Sequence, residues 1–133
     1  MPSLVTGFHH TAIRVVDFDR TLDFYRALGF TLARSWNESP KRAAMLDAGD
    51  GNYLEVFEGG DPDAPSEGRM IHFALRAADC DLAHASALEA GAKERMAPKD
   101  VHLESHQGLL PIRISFVVAP GGEIIEFFQN DLT

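Results

Sequence analysis

Two histidines and two glutamates stand out, because each type recurs once in each half of the 133-residue chain. His10 and His72 open the segments His10-Thr-Ala-Ile-Arg14 and His72-Phe-Ala-Leu-Arg76. Glu55 and Glu126 sit among large apolar neighbours, in Tyr53-Leu-Glu-Val-Phe57 and Ile124-Ile-Glu-Phe-Phe128. A carboxylate in such a setting needs a partner, since an unpaired buried charge is costly. Two neutral imidazoles with two carboxylates suit a divalent ion such as Zn, Ni, Co or Fe, and the carboxylates balance its charge. The other reading pairs Arg14 with Glu55 and Arg76 with Glu126 in a polar cavity that holds no ion. Spacing leaves both open, because no compact His-x-x-x-His signature is present.

The elements that must position these side chains repeat. A displacement of 62 residues (72 − 10 = 62) aligns His10 with His72, Ala12 with Ala74 and Arg14 with Arg76. The same displacement aligns Asp17 with Asp79, Asp19 with Asp81 and Gly29 with Gly91. Residues 8–16 are β-rich, and Asp17 or Asp19 can accept from the free N–H groups of a helix start. Phe18, Leu22, Tyr25 and Leu28 then recur at helical spacing, and Gly29 suits a left-handed stop. The second copy reads as strand over 70–78 and helix over 81–90, ending at Gly91.

Shorter strands are expected at 31–35, 43–47 and 53–57, with a turn at Gly49-Asp50-Gly51. In the second half they are expected near 93–96, 112–118 and 123–129, with Pro120-Gly121-Gly122 as the turn. An insertion at about 98–111 reads as a long loop, the kind that often lines a site. The chain is thus an α+β protein of two βαβββ modules, 7–58 and 69–130, joined by a linker at 59–68. Alternation along a strand puts His10, Ala12 and Arg14 on one face and Ile13 and Val15 on the other. The apolar faces should pack on the helices, leaving the His-Ala-Arg faces for the site.

The formal charge of −8, without a basic run, disfavours nucleic acid. No apolar run exceeds four residues, so no segment suits a bilayer. One cysteine, Cys80, and no visible signal segment fit a cytoplasmic protein.

The pattern resembles the vicinal oxygen chelate superfamily, which includes glyoxalase I, methylmalonyl-CoA epimerase, extradiol dioxygenases and bleomycin-resistance proteins. The resemblance spans 8–129. It rests on His10-Thr-Ala-Ile-Arg14-Val, Asp23-Phe-Tyr-Arg-Ala-Leu-Gly-Phe30, His72-Phe-Ala-Leu and Pro120-Gly-Gly-Glu-Ile-Ile-Glu126. It implies a curved mixed sheet around a metal cleft, one divalent ion (Ni, Zn, Co, Mn or Fe), and His10, Glu55, His72 and Glu126 as ligands. A four-ligand set looks most like glyoxalase I, with the epimerases close behind. The implied chemistry is a lyase or isomerase reaction on a small oxygenated substrate through a metal-stabilised enediolate, with Glu126 and Glu55 as proton carriers. A homodimer is also implied. An extradiol-type dioxygenase and a non-catalytic drug- or metabolite-binding protein are the rivals.

Arg14 matches the arginine that holds a glutathione carboxylate in glyoxalase I. An expected asparagine is Gly59 here, an expected arginine is Gly68, and the stretch His102 to Leu110 also departs from that pattern. Arg76 is open to an anion contact, and Trp36 and Phe57 to pocket or core. His9 faces away from His10 and reads as structural or exposed. His84 reads as solvated or satisfied, and His102 and His106 as solvent-exposed. Cys80, between Asp79 and Asp81, reads as an inert thiol.

Overall fold

In a computed structural model the alternating faces settle as the pattern requires. Described are residues 3–27, 29–63, 69–119 and 124–133, with Arg69 as backbone alone. The elements are β1 (Val5–Arg14), α1 (Phe18–Ala27), β2 (Thr31–Trp36), β3 (Ala43–Asp47), β4 (Tyr53–Phe57), β5 (Arg69–Ala77), α2 (Cys80–Glu89), β6 (Lys93–Ser105), β7 (Gly108–Val118) and β8 (Ile124–Gln129). The order βαβββ therefore occurs twice, and the class is α+β. The strands are hydrogen-bonded in the order β2-β3-β4-β1-β5-β8-β7-β6, a mixed sheet in which β1 and β4, and β5 and β8, run parallel. By internal contacts the chain divides into two units, one of Met1–His9, His72–Leu103 and Leu109–Thr133, the other of His10–Ile71 and Glu104–Gly108.

In the unit holding His10–Ile71, Asp17 starts α1: its Oδ1 accepts from Arg20 N at 3.0 Å. Gly29 ends the helix at φ 104, a conformation that favours glycine, and Phe30 N closes back on Tyr25 O at 3.1 Å. Leu28 and the greater part of the linker, 64–68, lie outside the described residues, as does the Pro120-Gly121-Gly122 turn. Phe18 and Leu22 of the helix pack on Ala44, Leu46 and Val56, with Ile13, Val15, Tyr25, Phe30 and Leu54 around them. Gly60 approaches β1 so closely that an added Cβ would lie 2.6 Å from Val15 C, and its N–H donates to Val15 O at 2.8 Å. The strand ends at Arg14, two residues short of the expected Val16.

In the other unit Asp79 is the N-cap of α2, accepting from Leu82 N at 3.0 Å, and Gly91 (φ 109) follows its end. Ala77, Cys80, Ala83, Val117 and Phe127 form the core, with Leu75 and Ile125 against it. The expected loop at 98–111 is wrong. Those residues are the far part of β6 and the start of β7, joined at His106 and Gln107. Prolines bound that stretch: Pro98 lies on β6, the last strand in the order, and prolines in sheets are confined to such edge strands. Pro111 lies beyond the Arg113–Gln129 pair where the β7–β8 register begins. The half-buried alternation of Val101, Leu103 and Ser105 was the strand signal.

One arginine in each unit ties helix start to sheet. Arg42 reaches Asp19 at 2.9 Å and Glu58 at 2.7 Å and lies over the Phe18 ring, 4.6 Å from its centroid. Arg113 reaches Asp81 at 2.6 Å and Asp100 at 3.1 Å.

Two measurements check these packing arguments. Leu46 is fully buried, so Leu46→Ala is expected to cost about 2–5 kcal/mol in urea unfolding. A loss under about 1 kcal/mol would contradict its place in the core. Arg42 holds the Glu58 carboxyl below its ordinary 4.5, chiefly by side-chain hydrogen bonding. A depressed folded value means that the stabilisation is complete above 4.5 and is lost as pH falls through the lower folded value. Arg42→Gln should therefore lower Tm at neutral pH by an amount that shrinks on acidification below that point. A gap that stays constant into strong acid would refute the coupling.

Candidate metal centre

The parallel register of β1 and β4 sets Ala12 beside Glu55, His10 beside Tyr53 and Arg14 beside Phe57. Since Ile13, Leu54 and Val56 turn to α1, His10 and Glu55 share the face away from the helix. There His10 Nε2 lies 3.3 Å from Glu55 Oε2, with the side chains 0% and 8% exposed. The other unit repeats the construction. Ala74 pairs with Glu126 between β5 and β8, Phe116 flanks Glu126 from β7, and His72 Nε2 lies 3.1 Å from Glu126 Oε1. These side chains are 9% and 7% exposed, and the His72 ring meets Phe116 edge-on at 5.3 Å.

Each unit thus offers one imidazole and one carboxylate as possible ligands, His10 with Glu55 in one and His72 with Glu126 in the other. The donor set fits a divalent ion on its chemistry: imidazole nitrogens and carboxylate oxygens, all held away from bulk water. The carboxylate contacts with these imidazoles are the ones that alternation of the strands makes possible.

The other expected site residues divide. Antiparallel registers Trp36–Ala43 and Ala43–Phe57 place Trp36 and Phe57 in one row with Arg14, on the Glu55 face. Trp36 is buried and Phe57 half-buried. Arg14 is exposed, donates to Glu58 O at 3.2 Å and lies 5.6 Å from the Phe57 ring centroid. Arg76, opposite Phe128, donates through Nε to Phe8 O at 3.0 Å and through Nη1 to Thr133 O at 2.8 Å.

His9 is fully buried and stacks on Phe128 with ring centroids 4.1 Å apart, which fits the structural reading. His84 is buried, not solvated, and its Nε2 meets Glu94 Oε1 at 2.8 Å. His102 and His106 are exposed, as expected, although His106 Nδ1 meets Ser35 Oγ at 2.7 Å. Burial pushes the Cys80 thiol pKa up, which keeps it protonated and unreactive.

Sequence reasoning missed the arginine ties, the Ser35–Gln107 contact and the turn at Asn130–Thr133. The Arg42 tie had a signal: Arg42 and Arg113 are 71 residues apart, the same as Glu55 and Glu126 (126 − 55 = 71).

The comparisons agree with this architecture. The model of the Glyoxalase/Bleomycin resistance protein/Dioxygenase superfamily matches residues 7–127. An uncharacterized protein, YwbC, of Bacillus subtilis (strain 168) is 29% identical over 126 residues, covering 91% of this chain and 95% of its own. The methylmalonyl-CoA epimerase of Mycobacterium tuberculosis superposes with a TM-score of 0.71 at 22% identity, over 98% of this chain and 92% of that one. A variant of the Streptomyces coelicolor methylmalonyl-CoA epimerase, in complex with 2-nitronate-propionyl-CoA, gives 0.67 at 26% identity, over 95% and 98%. With nearly its whole length matched, the chain belongs to the glyoxalase/bleomycin resistance protein/dioxygenase superfamily.

Proposed function

We propose that this chain is a metal-dependent isomerase that moves a proton at a carbon next to a carbonyl. The observation that carries the reading is the buried His–Glu pair that each unit holds, His10 with Glu55 and His72 with Glu126. His10, His72, Glu126 and Glu55 are the residues to hold the ion. When bound, the ion supplies positive charge that polarises the substrate carbonyl and makes the adjacent C–H more acidic.

The chain's own groups do the rest. Glu126 takes the proton from carbon onto a carboxylate oxygen, and the electron pair moves into the carbonyl. Glu55, a ligand only while ionised, in its protonated form gives a proton to that carbon as the electron pair returns from the carbonyl oxygen, and the two roles exchange in the reverse direction. Phe116, paired with Glu126 across β7 and β8, and Phe128, two residues along on the same face, limit the access of water to the Glu126 carboxylate. Arg14, Trp36 and Phe57 offer one guanidinium and two rings to the part of the substrate that does not react.

Methylmalonyl-CoA is the first substrate to test, on the strength of the epimerase complexes that are 26% identical over 95% of this chain. The hemithioacetal of methylglyoxal and glutathione is the second, because the four-ligand set resembles glyoxalase I. A homodimer in the cytoplasm belongs to the same reading.

Two experiments decide it. Protein purified without chelator and supplied with Zn, Co, Ni or Mn should hold about one equivalent, and His10→Ala or His72→Ala should weaken binding at least about tenfold. Wild-type protein that retains no ion would overturn the reading in favour of a metal-free binding protein. In D₂O the metal-loaded protein should wash deuterium into the α position of one of the two substrates. Glu126→Gln should slow that exchange about 10²–10⁴-fold with its metal retained. Iron-dependent oxygen uptake without exchange would instead assign the dioxygenase chemistry.

A further inference from the structure

Arg76 already holds a ligand, and the ligand is this chain. Thr133 places its main-chain O 2.8 Å from Arg76 Nη1 and its Oγ1 2.6 Å from His9 Nε2. Asn130 shapes that ligand: its Oδ1 accepts from Leu132 N at 2.8 Å, Thr133 N at 2.7 Å and Thr133 Oγ1 at 3.1 Å. Thr133 Oγ1 gives its one proton to Asn130 Oδ1, so His9 Nε2 donates to it, and both donors are built in. His9 is fully buried against Phe128, and Arg76 is anchored through Nε to Phe8 O. The register of β5 on β8 puts Arg76 opposite Phe128, two residues along from the Ala74–Glu126 pair and on the same face.

A carbonyl-type oxygen beside a hydroxyl, on a guanidinium and an imidazole, is the acceptor pattern of a carboxylate or an α-hydroxy acid. We propose that Arg76 and His9 form a carboxylate subsite on the Glu126 face, and that the Asn130–Thr133 turn is its intrachain ligand, displaced when a carboxylate binds. This rests on the proton-transfer reading only for its purpose, which is to hold an acid group of the substrate. An intrachain ligand lowers the apparent affinity of any competitor by the fraction of time that it leaves the site open.

Malonate is the probe, and titration calorimetry the measurement. It is applied to the full chain, to a chain ended at Gln129, and to Asn130→Ala, which loosens the turn and keeps every other residue. Both altered forms are expected to bind malonate at least about tenfold more tightly than the full chain. Adding Arg76→Gln to either should remove that gain. Unchanged affinity in the loosened forms, or a gain that survives Arg76→Gln, would overturn the proposal. If the shortened chain does not fold, Asn130→Ala decides alone. Malonate binding needs neither metal nor turnover, so failure of the isomerase reading and failure of this one are told apart.

Discussion

A carboxylate placed in the middle of an apolar strand cannot be left alone, and two such carboxylates govern this molecule. Glu55 and Glu126 are buried to within a few per cent, each beside strands whose other face builds a helix-packed core. Burial raises the cost of an unpaired charge, so each glutamate has an imidazole at hydrogen-bond range or close to it. The helices matter to the site for this reason. By covering Ile13, Leu54 and Val56 in one unit and Leu75, Ile125 and Phe127 in the other, they dictate which residues turn the opposite way.

The duplication goes deeper than the aligned residues. Asp17 and Asp79 start their helices through the same side-chain acceptor, and Asp19 and Asp81 each bind an arginine next to the sheet. Those arginines, Arg42 and Arg113, share the displacement of the glutamates and not that of the histidines. The extra residues therefore enter between α2 and β7, and they lengthen β6 and β7 without disturbing the strands that hold His72 and Glu126. An insertion in the edge hairpin changes no register in the middle strands, which is why the repeat could tolerate it.

Much of this was legible in the sequence because it depends on local rules. Strand alternation sorted His10 from Ile13 and His72 from Phe73, and the Asp and Gly punctuation located both helices to within about a residue. The strands 43–47 and 53–57 appear at their expected bounds. The β6–β7 hairpin was not legible, because a proline is a breaker in a central strand and harmless at an edge, and strand order is a tertiary fact. The partners of Glu55 and Glu126 were illegible for a similar reason. An arginine two residues beyond Ala12 and a histidine two before it share one face, and only the register of β1 on β4 selects between them. The burial of His84 against Glu94 depends on how β6 runs past α2, which no helical periodicity encodes.

The two halves agree in their carboxylates and differ in their arginines. Arg14 is exposed, lies over Phe57 and donates to Glu58 O, whereas Arg76 is half-buried and spans Phe8 O and Thr133 O. Trp36 belongs to the Arg14 row, while the Arg76 row runs through Phe128 and Ile114. The proposed proton transfer would use both features. Two similar carboxylates, which the duplicated strand pair supplies, would remove and return a proton at one carbon. The unlike groups on that carbon would meet unlike surroundings in the residues one row away from each glutamate. The repeat is thus kept in the carboxylates and lost in the rows that flank them.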